Sequence, residues 1–454
     1  MNLKRKNQKL LVGSISLTST VVLLVASIGP SIFFGVEQAA ITNNYDTGKW
    51  DIIVPDDYKN IQEAINHANE GYRIFVRNGT YGRIRSVDCK DITIHGEDNK
   101  TTVINGRSST AVYIKADSVN FSGFTIMNNG VNDSLLMINA DDCSISNNIL
   151  LADDFYDGTE YGISVYSSNN NIFFNNIISS ADYGIEIGRS NNNIFTKNTI
   201  EDNNQGISVR GDGNVFSNNL LKNNGGGISV YSSKESYILN NTIVNSRRSG
   251  VYLSRCSNIV LKNNEFIDAG LNIFGEDVSN FVHDIEGNRV NNKPLYYFRQ
   301  KNQFTVPSDA GQIILVDCNI VTVEKTVISD TSTALLVAFS EDVVIRNNEF
   351  SSNYRGVHLS YSYKCSVEQN NFINNTFDAG FVVSGFFNRK SNTWNGNYWD
   401  SRIGNKRLIL GLLPKRIIGT FQLNIRFKVF DRLHFSFLIK NFDRSPARLP
   451  YKII

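Results

Sequence analysis

A phrase of about 22 residues recurs in register at five places in this chain. Each copy opens with a Gly-Ile-x-Val strand or a close variant of it, continues with an Asn-Ile strand or a variant such as Asn-Val or Tyr-Ile, and closes with an Asn-Asn or Lys-Asn turn. The copies open at Gly162, Gly184, Gly206, Gly227 and Gly250. A repeat of this length is typical of a stacked array, in which each unit contacts only its neighbours.

The strands of one copy are too short to bury their alternating apolar residues alone. When copies stack as coils, each strand hydrogen bonds to its equivalents in the coils above and below, about 4.8 Å away. The pattern therefore predicts a parallel β-solenoid whose interior contains a column formed by Ile163, Ile185, Ile207, Ile228 and Val251. Asparagine suits the turns because it tolerates the left-handed backbone conformation and because identical amides in adjacent coils can form a ladder.

The charge of the chain excludes one class of partner. The formal net charge is +2, and 19% of the residues are charged. No basic stripe interleaved with aromatic residues is present. A field this weak gives no reason to expect a nucleic acid partner.

The N-terminal residues 1–36 have the pattern of a signal or anchor segment. Basic residues at positions 4, 5, 6 and 9 precede about 27 uncharged residues, 10–36, which are enough to span a bilayer. No clean small-x-small cleavage site follows. An uncleaved membrane anchor through residues 10–36 is therefore favoured over a removed signal peptide. Both alternatives place the repeats outside the cytoplasm, either anchored to the membrane or secreted.

Two residue types can be read as sites of modification or metal binding. Asn-x-Ser/Thr triplets that would permit glycosylation occur at Asn78, Asn99, Asn120, Asn132, Asn240 and Asn374. The five cysteines are Cys89, Cys143, Cys256, Cys318 and Cys365. They are widely separated, and each lies just before a middle strand, so they are interpreted as small half-buried residues at the strand entry rather than as disulfide partners or metal ligands.

The chain divides into four regions. Residues 37–50 are predicted to be a tether, and 51–400 a solenoid with an off-register excursion near 271–312. Apolar residues at 61, 64, 65 and 68 predict a short helix that caps the N-terminal end of the core. The Phe-rich and Arg-rich tail, 401–454, is expected to cover the C-terminal end.

Several phrases resemble those of one protein family. They are Val54-Pro55-Asp56-Asp57, residues 61–65 (Ile-Gln-Glu-Ala-Ile), 74–81 (Ile-Phe-Val-Arg-Asn-Gly-Thr-Tyr), 292–297 (Asn-Lys-Pro-Leu-Tyr-Tyr), 306–312 (Val-Pro-Ser-Asp-Ala-Gly-Gln), 396–400 (Gly-Asn-Tyr-Trp-Asp) and 441–447 (Asn-Phe-Asp-Arg-Ser-Pro-Ala). Together with the repeats they are similar to the NosD-like family of pectin-lyase-like β-helix proteins. The resemblance implies a right-handed parallel β-helix, here of about 13 coils, on the cell surface or in the periplasm, often in archaea.

The family takes its name from an accessory factor implicated in supplying copper to nitrous oxide reductase. Copper carriers cluster Met, Cys or His side chains. This chain has three methionines, and its histidines are far apart, at His67, His95, His283, His358 and His434. Copper binding is therefore not expected, and no cofactor is certain.

The outward positions of the first strands form a candidate carbohydrate surface. Ser164, Glu186, Ser208, Ser229 and Tyr252 align there, and an acidic insertion at 153–158 would overhang them. The predicted binding residues are Asp157, Glu160, Tyr161, Asp182, Glu186, Arg189 and Arg210. Tyrosine can stack on sugar rings, arginine can bind uronate carboxylates, and carboxylates can hold Ca²⁺ or act as acid and base.

The favoured interpretation is a non-catalytic, extracytoplasmic protein that binds polysaccharide or another component of the cell envelope. Two alternatives remain open. One is a polysaccharide lyase, epimerase or hydrolase that acts on the same face, although none of the usual sequence signatures of such enzymes is present. The other is a NosD-like accessory protein for metalloenzyme maturation.

Overall fold

The structure is a computed structural model, and it describes residues 49–128, 133–152, 160–246, 248–382, 392–400, 407–417, 433–443, 446–447 and 449–453. The predicted signal or anchor segment and the acidic insertion at 153–158 lie outside these residues. Within the described part of the chain, no helix has both the length and the apolar character needed to cross a bilayer.

The chain forms an all-β, right-handed parallel solenoid of about 14 turns, against about 13 predicted. Each turn contributes one strand to each of three sheets, and equivalent strands of successive turns pair in parallel. The described part falls into a first segment, residues 52–290, and a second segment, residues 293–443, each with its own three sheets.

The first segment contains sheets 1, 2 and 3. Sheet 1 consists of β4 Ile84–Val87, β7 Val112–Ile114, β10 Ser134–Ile138, β13 Tyr161–Tyr166, β16 Tyr183–Gly188, β19 Gln205–Arg210, β22 Gly226–Tyr231, β25 Val251–Ser254 and β28 Leu271–Phe274. Sheet 2 consists of β1 Ile52–Val54, β2 Arg73–Val76, β5 Thr93–Gly96, β8 Asn120–Ser122, β11 Ser144–Ser146, β14 Ile172–Phe174, β17 Ile194–Thr196, β20 Val215–Ser217, β23 Tyr237–Leu239, β26 Val260–Lys262 and β29 Asp284–Glu286. Sheet 3 consists of β3 Gly79–Gly82, β6 Thr102–Asn105, β9 Thr125–Asn128, β12 Ile149–Ala152, β15 Ile177–Ser179, β18 Thr199–Glu201, β21 Leu220–Lys222, β24 Thr242–Val244, β27 Glu265–Ile267 and β30 Arg289–Val290.

The second segment contains sheets 4, 5 and 6. Sheet 4 consists of β31 Lys293–Arg299, β33 Gln312–Val316, β36 Thr333–Ala338, β39 Arg355–Ser360, β42 Phe377–Val382, β45 Arg407–Ile417 and β46 Leu433–Asp443. Sheet 5 consists of β32 Asn302–Thr305, β34 Asn319–Glu324, β37 Glu341–Arg346, β40 Ser366–Glu368 and β43 Thr393–Asn395. Sheet 6 consists of β35 Val327–Ser329, β38 Glu349–Ser351, β41 Asn371–Ile373 and β44 Tyr398–Trp399.

A short helix, α1 Ile61–His67, lies at the N-terminal end as predicted. The side chain of Asn60 caps it by accepting a hydrogen bond from the backbone N–H of Glu63 at 2.9 Å. Ile61, Ala64 and Ile65 are buried and belong to the core cluster of the first segment. The helix therefore covers apolar residues that the first coil would otherwise expose.

The predicted interior column is present and fully buried. Ile163, Ile185, Ile207, Ile228 and Val251 pair in register along sheet 1. The glycine before each of these residues is required by close packing of the coils. A Cβ atom at Gly227 would lie 2.2 Å from the carbonyl oxygen of Gly250, far inside contact distance.

The two asparagines of each turn have different tasks. The first, as at Asn218 and Asn240, has a positive φ of 54°, a conformation that asparagine tolerates. The second is buried and belongs to a ladder. The Oδ1 atom of Asn219 accepts hydrogen bonds from the backbone N–H and the side-chain amide of Asn198, at 2.9 and 3.1 Å. The Oδ1 atom of Asn241 accepts the equivalent two hydrogen bonds from Asn219. Each coil thereby satisfies the buried polar groups of the coil before it.

Parallel pairing stops where the two segments meet, inside the predicted excursion 271–312. Strands β28, β29 and β30 still pair in parallel with the preceding coil, whereas β30 and β31 pair antiparallel through residues 289–290 and 293–294. Strands β33 and β36 are buried on both faces. Ile313 and Leu335 face the core of the second segment, whereas Ile314 and Leu336 belong to the core cluster of the first. Sheet 4 therefore packs over the last coil of the first segment.

The tail contributes to the C-terminal end of the second segment. Strand β45 extends sheet 4 in parallel, and β46 pairs with it in antiparallel fashion. The carboxylate of Asp443 accepts hydrogen bonds from the backbone N–H of Asn397 at 2.9 Å, from its side-chain amide at 3.0 Å and from the indole N–H of Trp399 at 3.1 Å. Asp443 thus provides the acceptor that the next asparagine of the ladder would otherwise supply.

Candidate functional site

The outer surface of sheet 1 carries the column of side chains predicted to bind carbohydrate. In this sheet Ser164 pairs with Glu186, Glu186 with Ser208, Ser208 with Ser229, Ser229 with Tyr252, and Tyr252 with Asn272. Equivalent side chains therefore lie one coil apart along one line. The column extends one coil beyond the predicted residues.

Glu186 and Arg210 form an ion pair in the middle of this surface. The Nη1 atom of Arg210 lies 3.2 Å from Oε1 of Glu186, and the Arg210 side chain is 60% exposed whereas that of Glu186 is 22% exposed. Burial raises the pKa of the Glu186 carboxyl, while the Ser208 hydroxyl and the charge of Arg210 oppose this effect. The guanidinium also lies 5.0 Å from the ring centroid of Tyr231 in the next coil.

Two tyrosines lie beside the ion pair. The rings of Tyr161 and Tyr183 stack with their centroids 5.6 Å apart. Burial and the neighbouring carboxylates, Glu186 and Asp182, raise the pKa of both hydroxyls. They therefore stay protonated at neutral pH and can donate hydrogen bonds. The carboxylate of Asp182 accepts a hydrogen bond of 2.8 Å from the side chain of Asn204.

The remaining predicted residues differ in position. Glu160 is buried immediately before β13. The guanidinium of Arg189 lies at the other end of its strand, 5.9 Å from the ring of Tyr166. Asp157 lies outside the described residues. The structure therefore brings Glu160, Tyr161, Asp182, Glu186 and Arg210 to neighbouring positions on β13, β16 and β19, and Arg189 to their margin.

A cleft of about 320 Å³ opens on the same surface where the two segments meet. It is lined by Gln205, Gly226, Ser229, Tyr231, Arg248, Ser249, Tyr252, Asn272, Ile273, Phe274, Tyr354, Arg355 and His358. Its walls are the last strands of sheet 1 and strand β39 of sheet 4. Tyr231 lines the cleft and also contacts Arg210, so the cleft adjoins the predicted site.

The prediction from sequence included Ser229 and Tyr252 in the column but did not include Arg355 or His358. Both lie on β39, whose Gly-Val-His-Leu phrase has the phase of the Gly-Ile-x-Val strands. His358 is the third residue of that phrase and corresponds to the outward residue of the earlier strands. Nothing in the sequence indicated that β39 would lie against β25 and β28, because the contact depends on how sheet 4 packs over the first segment.

The expectation that copper does not bind stays a prediction. No group of three His, Cys, Asp or Glu side chains converges among the described residues. Four of the cysteines are buried, and all five are free. Burial raises the pKa of the Cys143 and Cys365 thiols to about 12, so these thiols are protonated rather than in the thiolate form that binds soft metals. The prediction of possible Ca²⁺ binding stays a prediction.

Comparisons with solved structures give distant similarities. The chain is similar to the catalytic unit of a GH87 α-1,3-glucanase from Streptomyces thermodiastaticus, with 14% identity, a TM-score of 0.42 and coverage of 73% of this chain and 63% of the glucanase unit. A PL6 alginate lyase in complex with a trisaccharide gives 13% identity, a TM-score of 0.43 and coverages of 70% and 81%. A pectin methyl esterase of rice weevil gives 16% identity, a TM-score of 0.34 and coverage of 54% of this chain and 90% of the esterase. The chain thus spans less than two thirds of the glucanase unit.

Two family models match the sequence, whereas no curated protein matches it. The model described as periplasmic copper-binding protein (NosD) matches residues 154–315, and the model described as right handed beta helix region matches residues 238–401. The matched region begins just before β13 and ends just after β44, so it contains the whole of the candidate surface and the cleft. Together with the parallel coils of the structure, these matches support a NosD-like family of right-handed β-helix proteins for this chain.

Proposed function

We propose that this protein is an extracytoplasmic, non-catalytic protein that binds polysaccharide along the outer surface of sheet 1. The observation that carries the proposal is the cluster of tyrosine, carboxylate and arginine side chains on β13, β16 and β19, which adjoins the cleft at the segment junction. Tyrosine rings present apolar faces to sugar rings, and arginine, serine and tyrosine present donors to their oxygen atoms.

The shape of the surface fits an extended polymer. Strands β13 to β28 are six successive strands of sheet 1, and five spacings of about 4.8 Å give a length of roughly 24 Å. Several sugar units can lie along such a row at once. Weak contacts that repeat every coil then add to a useful affinity, since each is made to the same ligand chain.

A glycan array probed with the purified full-length protein tests the proposal. We expect binding to a subset of polysaccharide fragments, and we expect Arg210→Ala to weaken that binding about tenfold because a charge-assisted contact is lost. Arg346→Ala is the matched control, because Arg346 forms a similar ion pair with Glu324, at 2.9 Å, on sheet 5. No binding to any glycan, or equal losses in the two variants, would contradict the proposal.

One observation favours an enzyme as the second candidate. The Glu186 carboxyl has a raised pKa and lies in the same cluster as Arg210 and the protonated tyrosines. A carboxyl of this kind can act as general acid or base. Product formation from a bound polysaccharide, lost in Glu186→Gln while binding is retained, would replace the non-catalytic proposal with a lyase, epimerase or hydrolase.

The cellular location is part of the same proposal. The NosD family is described as periplasmic, which supports a location outside the cytoplasm. We expect residues 10–36 to act as an anchor, so that the mature protein sediments with membranes and keeps its N-terminus. Carbonate extraction followed by N-terminal sequencing checks this expectation. A soluble form that begins near Ala39 would show that the segment is a removed signal peptide.

A further inference from the structure

The cleft at the segment junction has an unbalanced charge. Two arginines, Arg248 and Arg355, line it, and among its described lining residues there is no aspartate or glutamate. Several arginines elsewhere on the surface are paired with carboxylates, as Arg210 is with Glu186 and Arg255 is with Glu276 at 2.9 Å. The cleft therefore presents positive charge that the described protein does not neutralise.

Arg355 is the more informative of the two cations because it is half-buried. Its guanidinium lies 5.9 Å from the ring centroid of Phe377 and forms no ion pair with a described carboxylate. Burial lowers the pKa of the Arg355 guanidinium, although the neighbouring Tyr354 and Tyr252 oppose the effect. A guanidinium withdrawn from water and left without an anion is costly, and an anionic ligand would remove that cost.

His358, on the same strand, supplies an acceptor. Burial and the charge of Arg355 lower the pKa of its imidazole to about 3, although a hydrogen bond to the backbone of Gly380 opposes this, so the ring is neutral at physiological pH. A neutral imidazole has one N–H, and the backbone of Gly380 uses it. The other nitrogen, Nδ1, is buried and has no hydrogen-bond partner among the described residues. It can be satisfied only by a donor, such as the hydroxyl of a ligand.

We propose that this cleft binds a sugar unit that carries an anionic group. Arg355 would pair with the anion, and Nδ1 of His358 would accept a hydrogen bond from a neighbouring hydroxyl. The inference rests on the proposed polysaccharide-binding function and specifies the class of polymer, namely an acidic one. The half-buried rings of Tyr252 and Tyr354 would flank the sugar ring. A carboxylate and a sulfate ester share this chemistry, since both accept two parallel hydrogen bonds from a guanidinium.

Calorimetric titration of the full-length protein with matched oligosaccharides tests the inference. One pair is tetragalacturonate and its methyl ester, and the other is a sulfated dextran oligosaccharide and the unmodified one. We expect the acidic member of at least one pair to bind about tenfold or more tightly than its neutral partner, and the pair that responds identifies carboxylate or sulfate as the anion. Arg355→Met, which keeps most of the side-chain volume, should remove this preference, whereas Arg346→Met on sheet 5 should keep it.

A second variant separates the two contacts. His358→Phe keeps a ring of similar size but removes the acceptor, so affinity should fall several-fold for acidic and neutral members alike while their ratio is kept. Equal affinity for the acidic and neutral members would overturn the inference and leave the proposed function standing. The same holds if Arg355→Met leaves the preference unchanged while its unfolding midpoint is that of the native protein. Failure of all four probes and of the glycan array would overturn both.

Discussion

Replacement of Ile207 by aspartate is expected to prevent the chain from folding into its β-helix. Ile207 is fully buried between Ile185 and Ile228 in the interior column of sheet 1. Loss of the aliphatic side chain costs about 3 kcal/mol, and burial of a carboxyl with no partner adds several kcal/mol more. The net free energy of unfolding of a protein is only about 5–15 kcal/mol, so the cost of this substitution is comparable with the total stability.

The measurement is urea unfolding followed by far-UV circular dichroism, together with the soluble yield of each variant. Two controls isolate the cause. Ile207→Val keeps the apolar character and should cost about 1 kcal/mol. Thr199→Asp places the same charge on the partly exposed outer side of β18 and should leave the protein folded. A folded Ile207→Asp protein with near-native stability would show that residue 207 does not face a packed interior.

The solenoid could be predicted from the sequence because the backbone geometry of each coil requires particular residues at fixed positions. The glycine of each Gly-Ile-x-Val phrase is needed where adjacent coils approach most closely, as at Gly227. The two reasons given for asparagine in the turns are both met, but by different residues. The first asparagine of each pair adopts the left-handed conformation, and the second forms the buried ladder. Lys197 replaces asparagine only at the first position, where φ is 55° and no buried amide is required.

The cleft could not be predicted in the same way. Tyr252 and Arg355 are about 100 residues apart in the sequence. Tyr252 lies at an outward position of β25, and Arg355 is the first residue of β39. They meet because pairing changes from parallel to antiparallel between β30 and β31, which lets sheet 4 pack over the end of the first segment. The repeat pattern indicated that register was lost in this region. It carried no information about the direction in which the second segment would continue.

One histidine occupies a ladder position that asparagine fills in other coils. The residue before the sheet 2 strand is Asn171, Asn193 or Asn214 in three coils, and His283 stands at the equivalent position before β29. Its Nδ1 accepts a hydrogen bond of 3.3 Å from the backbone N–H of Ile259, and its Nε2 lies 3.0 Å from the carbonyl oxygen of Asn280. The imidazole therefore accepts the hydrogen bond that an asparagine amide accepts in other coils, but unlike an amide it can be protonated.

His283 should make the protein less stable in mild acid. Burial, together with the charge of Arg299, lowers the pKa of its imidazole to about 4, although the hydrogen bond to Asn280 opposes the shift. In the unfolded chain the histidine titrates near pH 6.5. Between these two values the unfolded state binds more protons than the folded state, so stability falls as the pH is lowered. The contribution of His283 to this loss is about 2 kcal/mol between pH 7.5 and pH 5.

The substitution His283→Asn is expected to remove that part of the acid sensitivity while keeping the fold. An asparagine amide oxygen can accept from the Ile259 N–H, as the Oδ1 atom of Asn214 accepts from the backbone of Asn193 at 3.0 Å, and it does not titrate. Urea unfolding at pH 7.5 and pH 5 should therefore show a loss of free energy about 2 kcal/mol smaller in the variant than in the native protein. His67→Asn, at an exposed position of α1, should leave the native loss unchanged and serves as the control. Equal losses in the native protein and in His283→Asn would contradict the assignment, because they would show that protonation of His283 is not linked to unfolding.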